Sequence, residues 1–316
     1  METGAASQAY RRVVDNVRRV IAGNDDAVAT AVLCLFADGN LLLEGVPGVG
    51  KTTLARALAT SIGGTFTRIQ ATPDLLPSDL TGVSIYDQHE GSFRFLPGPV
   101  FANVVLVDEI NRTPPRTQAA LLEPMEERQV TVDGLTHRLP APYVVIATEN
   151  PVEQHGTYPL PEGQLDRFAL AVPVGYPDPG SAADVVKRQI ERHPLGDLEA
   201  VLEPGEVLDG QAAVRGVFVD DAVVRYAVEL VTATRSAPDV ALGASPRSSV
   251  ALVRCAQARA LAEERDHVLP DDVKALAVPA LAHRLVTTHG GPTAARAAVE
   301  HLLATVPIPL HAARER

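Results

Sequence analysis

Residues 45–52 read GVPGVGKT, a full match to the pattern G-x-x-x-x-G-K-[ST] that cradles phosphates. Gly45, Gly48 and Gly50 let backbone amides turn inward around phosphate oxygens. Lys51 supplies a point charge for the β and γ phosphates, and Thr52 offers a hydroxyl to Mg²⁺. The residues assigned to hold a nucleotide are therefore Gly45, Val46, Pro47, Gly48, Val49, Gly50, Lys51, Thr52 and Thr53. A glycine-rich turn with a solvated lysine is the plain alternative, and the elements on either side argue against it. The loop alone does not specify hydrolysis, because kinases and GTPases share it. VVLVDEIN at 104–111 supplies what is missing: an apolar run ending in adjacent carboxylates. Asp108 is the expected Walker B group, holding Mg²⁺ together with Thr52. Glu109 is then free to orient and deprotonate an attacking water.

Such groups must be positioned by a buried sheet. Short apolar runs rich in β-formers recur at 40–44, 65–70, 103–109, 143–148 and 168–174, separated by helical patterns. This rhythm predicts a parallel five-stranded sheet flanked by helices, an α/β fold. Leu54, Leu58 and Ile62 repeat at helical spacing after the phosphate loop, and Gly63-Gly64 stops them. VGYPDPGS at 174–181 concentrates proline and glycine and predicts a boundary between a nucleotide-binding domain, 1–177, and a second domain, 178–316. The later segments, including SPRSSVALVRCAQARALAEE and LPDDVKALAVPALAHRLV, predict an all-helical lid.

Composition limits the rest. The chain has 316 residues, 46% hydrophobic and 21% charged, which suits a folded soluble protein. Its longest apolar stretch, residues 28–37, is short of the roughly 20 residues a membrane span needs. Membrane insertion is not expected. Cys34 and Cys255 both sit in apolar helical patterns, so a disulfide framework is disfavoured and a reducing cytoplasm is expected. A net charge of -11 disfavours nucleic acid as the main partner.

The stretch HGTYPLPEGQLDRF at 155–168 looks at first like surface punctuation carrying a stray Arg167. Taken with DLLPSDLTG at 74–82, DEINR at 108–112 and GASPRSS at 243–249, it resembles the MoxR family of AAA+ ATPases. The similarity runs through nearly the whole ATPase domain and into the lid. The resemblance implies a P-loop AAA+ domain and lid, ATP with Mg²⁺, and a homo-oligomeric, hexameric ring acting on protein clients. It also implies a von Willebrand factor A domain partner supplied by another chain.

Residue by residue, it makes Asn150 the sensor 1 group facing the γ-phosphate or attacking water. It makes Arg247 the sensor 2 group, reaching the nucleotide from the second domain. Arg167 becomes the arginine finger donated to a neighbour's ATP, with Arg112 as its rival. RRVIAG at 18–23 is similar to the segment that flanks adenine. Excursions at 82–101, with EGSF as a turn, and at 128–140, with Asp133-Gly134 as a turn, resemble hairpin inserts facing a pore or client. The chain departs from the family pattern at Glu149 and Gly163, where Gln and Ala are usual. Pro124 lies inside a predicted helix and should kink or end it. The motor subunit of a metal chelatase is the alternative reading, and the GTYPLPE block favours MoxR. A nucleic-acid motor is opposed by the charge and by the lack of a DNA-binding module.

Overall fold

Strands apolar on both faces are stable only between two covering layers, and four of the five runs, all but the edge run at 65–70, sit in such a place. The computed structural model describes residues 3–89, 91–150, 156–191 and 194–308. In it β1 (Asn40–Glu44), β2 (Phe66–Gln70), β3 (Val104–Asp108), β4 (Val144–Glu149) and β5 (Phe168–Pro173) form one parallel sheet. The order is β2-β3-β4-β1-β5. Consequently β3, β4 and β1 end side by side, and whatever follows them shares one edge. Val104, Val105, Leu106 and Val107 of β3 are all buried, as a central parallel strand requires.

The covering helices are α1 (Thr3–Arg18), α2 (Asp25–Phe36) and α3 (Lys51–Ser61), followed by α4 (Pro179–Glu191), α5 (Pro204–Gly216), α6 (Asp221–Ala233), α7 (Pro246–Ala262), α8 (Pro270–Leu281) and α9 (Gly291–Thr305). Pro270 starts α8, and Asp271 and Asp272 lie in its first turn, where the helix dipole favours them. The lid carries one feature its helical sequence pattern did not announce. Val240–Leu242 pairs antiparallel with Val286–Thr287. Runs this short have no measurable period, so only the folded chain reveals them.

The first helix joins the two parts of the chain. Val13 and Val17 of α1 lie in the same apolar cluster as Leu58 of α3 and Leu252 and Leu261 of α7. Ser7 Oγ donates to the Ala262 carbonyl at 3.1 Å, and Asn16 Nδ2 donates to Ser61 Oγ at 3.0 Å.

Both predicted hairpins form, Gly82–Asp87 with Ser92–Pro97 and Gln129–Val132 with Leu135–Arg138. Asp133 and Gly134 both have positive φ, 52° and 79°, as a tight turn between twisted strands demands. In the EGSF turn, Glu90 lies outside the described residues. Phe95 and His137 stack with centroids 3.9 Å apart and tie the hairpins together. The helix before the second hairpin is broken into Pro115–Ala119 and Leu122–Glu127. Pro124 sits in the first turn of the second piece, and its ring would clash with the Ala120 carbonyl four residues back, where the break falls.

Candidate functional site

Gly45 follows the last residue of β1, and its amide donates to the Glu149 carbonyl at 3.1 Å, so the loop leaves the sheet between β1 and β4. A Cβ at Gly45 would collide with the Val174 carbonyl oxygen, which explains the glycine. Gly50, at φ 96°, takes the left-handed conformation immediately before α3 and aims the first amides of that helix at the loop's interior. Lys51 is buried at the start of α3 and donates its Nζ hydrogen to the Gly45 carbonyl. Burial lowers its pKa, while Asp108 and Glu109 act in the opposite direction. Nearby, a Cβ on Gly50 would touch Ile21, so the RRVIAG segment does lie against the phosphate loop. Asn24 Nδ2 donates to the Gly175 carbonyl at 3.3 Å and holds that segment against the chain after β5.

The same edge carries the carboxylates. Asp108 ends β3, Glu109 follows with φ 57°, and Asn150 follows β4 and is buried. Ligands of parallel α/β sheets bind outside these carboxyl ends. Thr148, fully buried in β4, donates its hydroxyl to Asp108 Oδ1 at 2.7 Å and accepts the Glu109 amide at 2.8 Å. One side chain thus sets both acidic residues. Arg68 of β2 donates to Asp108 Oδ2 from Nη2 at 2.6 Å and from Nε at 3.1 Å, so a cation already faces this carboxylate. Arg112 Nε lies 2.8 Å from Glu109 Oε2, and Gln70 Nε2 reaches the same oxygen at 3.4 Å. Arg112 is thus paired with Glu109 of its own chain. Thr52 and Asp108 offer a hydroxyl and a carboxylate, the sparse oxygen set that suits Mg²⁺ when phosphates complete its shell. Among the described residues no group of three or more His, Cys, Asp and Glu is arranged to hold a metal ion.

Arg167 and Arg247 are elsewhere. Arg167 precedes β5, beside the start of β1, and Asn40 Nδ2 donates to its carbonyl at 3.3 Å. The five residues of β1 separate this edge from the P-loop by roughly 13 Å, at about 3.3 Å per residue. Arg247 lies here too, in the first turn of α7, with Nη2 at 2.7 Å from Glu126 Oε1. Arg167 Nη2 is 3.0 Å from the other oxygen, Glu126 Oε2. Arg247 therefore stands at the edge of the sheet opposite its own chain's phosphate loop, where the lid seats α7. The lid contact is specific. Asp166 accepts from Ser245 Oγ at 2.8 Å and from Ser248 Oγ at 3.2 Å, and Arg284 Nη2 donates to the Phe168 carbonyl at 2.7 Å.

Thr148, Arg68, Glu126, Asp166 and Arg284 were not singled out from the sequence. Ser245 and Ser248, three apart at a helix start, do place two hydroxyls on one face. Nothing in the sequence names the carboxylate they meet. Residues 151–155, which join Asn150 to the GTYPLPE block, lie outside the described residues. No described helix is long and apolar enough to cross a membrane.

Residues 40–170 match the ATPase family associated with various cellular activities (AAA), and residues 232–303 match the AAA lid domain. The chain is 51% identical to the YeaC protein of Bacillus subtilis over 87% of its own length and 86% of that protein's. It is 42% identical to the chaperone MoxR1 of Mycobacterium tuberculosis, covering 90% of this chain and 78% of the relative. A crystal structure of a Cytophaga hutchinsonii protein superposes with a TM-score of 0.89 at 37% identity, covering 98% of this chain and 97% of the other.

Proposed function

This chain belongs to the MoxR family of AAA ATPases, and from that premise we propose that it is a Mg²⁺-dependent, ring-forming ATPase that remodels protein clients. One observation carries the proposal. The phosphate loop, Asp108, Glu109 and Asn150 share one edge of the sheet, while Arg167 and Arg247 converge on the other. A chain built this way holds most of an ATP site at one end and the missing cations at the other. Copies arranged head to tail in a closed ring, hexameric by family likeness, complete each other's sites.

In this reading the loop residues 45–50 and Lys51 bind the phosphates, with Thr53 continuing the cradle beyond Thr52. Lys51 is already buried, so contact with phosphate costs it less further desolvation. Thr52 and Asp108 hold Mg²⁺, which neutralises phosphate charge when bound. Asp108 can exchange Arg68 for that cation. Glu109, its backbone fixed by Thr148, orients and deprotonates the attacking water, and Asn150 positions the γ-phosphate or that water. Arg167 and Arg247 enter from the neighbouring subunit and stabilise charge developing on the transferred phosphoryl oxygens.

The domain division at 177/178, action in the cytoplasm and a von Willebrand factor A domain partner belong to the same proposal. The first hairpin supports a protein client. Ile85 and Leu96 are exposed on one face of it and Tyr86 and Phe93 on the other, apolar surface that a pore or client face would use.

Glu109→Gln tests the chemistry. It should retain ATP with unimpaired affinity while turnover falls about 100-fold or more. Wild-type turnover in that variant would remove Glu109 from the role of base. Proteins captured by the ATP-loaded variant then identify the clients.

A further inference from the structure

Glu126 stands between the two arginines that come from different parts of the chain. Each carboxylate oxygen takes one guanidinium, Oε2 from Arg167 at 3.0 Å and Oε1 from Arg247 at 2.7 Å. The backbone on both sides is fixed by one buried residue. Asn40 Nδ2 donates to the carbonyl of Met125, next to Glu126, and to that of Arg167. The lid is fixed as well, because Asp166 accepts both Ser245 and Ser248 in the turn that carries Arg247. All three side chains line an open cavity of about 520 Å³ in which six arginines face three carboxylates. Two guanidinium groups held this close repel, and the surrounding excess of positive charge adds to the repulsion. A single anion with two acceptor oxygens resolves it; since Arg167 Nη1 also donates to the Gly163 carbonyl and its Nε is buried, a further anion would meet the remaining Nη hydrogens of the pair.

We propose that Glu126 is the positioning residue of the arginine pair: its carboxylate holds Arg167 and Arg247 together as one two-pronged cation for the phosphates of the neighbouring subunit's nucleotide. This rests on the trans placement of the arginines given above. Because the prongs are already converged, no reorganisation is needed when the phosphoryl charge develops, which is where preorganised charge has its largest effect. Glu126 touches neither the nucleotide nor the reacting atoms.

The test compares Glu126→Gln and Glu126→Asp with Arg167→Ala. Gln has one acceptor oxygen, and its NH₂ group meets a guanidinium donor to donor, so one prong is released. A misplaced prong should lower kcat about 10- to 100-fold. The affinity for a fluorescent methylanthraniloyl-ADP should be unchanged, since the prongs act on the charge of the transferred phosphoryl group, which ADP lacks. Glu126→Asp keeps a two-oxygen anion and should recover part of kcat. In mixed assemblies, verified by native mass spectrometry, Lys51→Ala subunits should restore Glu126→Gln just as they restore Arg167→Ala. Both defects lie on the donor side of the interface.

A kcat at or above that of the parent in Glu126→Gln overturns the proposal, as does a defect that mixing fails to restore while Arg167→Ala is restored. Those results leave the trans arginines standing. If Arg167→Ala itself keeps full kcat, or is not restored, the trans placement falls and the proposal with it.

Discussion

Thr148 donates its hydroxyl to Asp108 Oδ1 at 2.7 Å, tying the end of β4 to the end of β3 between the two carboxylates and the sensor residue. Because Thr148 Oγ1 also accepts the Glu109 amide at 2.8 Å, it helps fix the left-handed backbone of Glu109. Thr148→Val keeps the shape and suits a strand, but removes both bonds. It should destabilise the protein by about 1–3 kcal/mol. It should also reduce kcat, whereas Thr148→Ser should preserve both. Denaturant midpoints and turnover measure this; a valine variant equal to the parent would refute the role.

Glu149 lies in register with Glu44 on the adjacent parallel strand. Burial, and then the charge of Glu44, raises its pKa. The folded state therefore holds this proton more tightly than the unfolded chain. That contribution is present in full below the ordinary carboxylate pKa and is lost as pH rises through the raised value. At neutral pH the ionised side chain is a cost, so Glu149→Gln should be the more stable protein there. Urea midpoints across pH should show the gap narrowing toward acid, and a gap independent of pH would contradict this account.

Gly163 occupies the short helix Glu162–Leu165 without needing to be glycine. A Cβ there would meet no heavy atom within 4 Å, and its φ is not positive. Its carbonyl, which accepts from Arg167 Nη1, is unaffected by a side chain. Gly163→Ala should therefore stabilise the fold by about 0.4–1 kcal/mol, chiefly by restricting the unfolded chain. Thermal unfolding measures the gain, and turnover should not change.

Cys34 and Cys255 are fully buried and unbridged. Burial raises both thiols, Cys255 to about 12. Since the thiolate is the reactive form, the native protein should resist a thiol reagent at neutral pH and the unfolded chain should react at both positions. Fast modification of the native protein would show that the core around α2 and α7 opens readily.

Much of the nucleotide edge was legible because its parts are local. A phosphate loop is eight consecutive residues, its glycines answer to backbone conformation, and the strand before Asp108 is recognisable by its unbroken apolar run. The five strands, both hairpin turns and the helix break four residues before Pro124 follow from similarly short-range rules. The resemblance to the MoxR family also named Asn150, Arg167 and Arg247.

Where those residues stand was decided by tertiary structure. Sheet order brings β3, β4 and β1 together although 99 residues, 45–143, lie between β1 and β4, and no periodicity encodes that order. Packing of α7 against the far edge of the sheet sends Arg247 to Glu126 instead of to its own P-loop. Thr148, Arg68, Glu126 and Asp166 have no motif because their partners are 40, 40, 121 and 79 residues away. A hydrogen bond between distant segments leaves no spacing to read; its residues acquire meaning only when the core brings them within 3 Å.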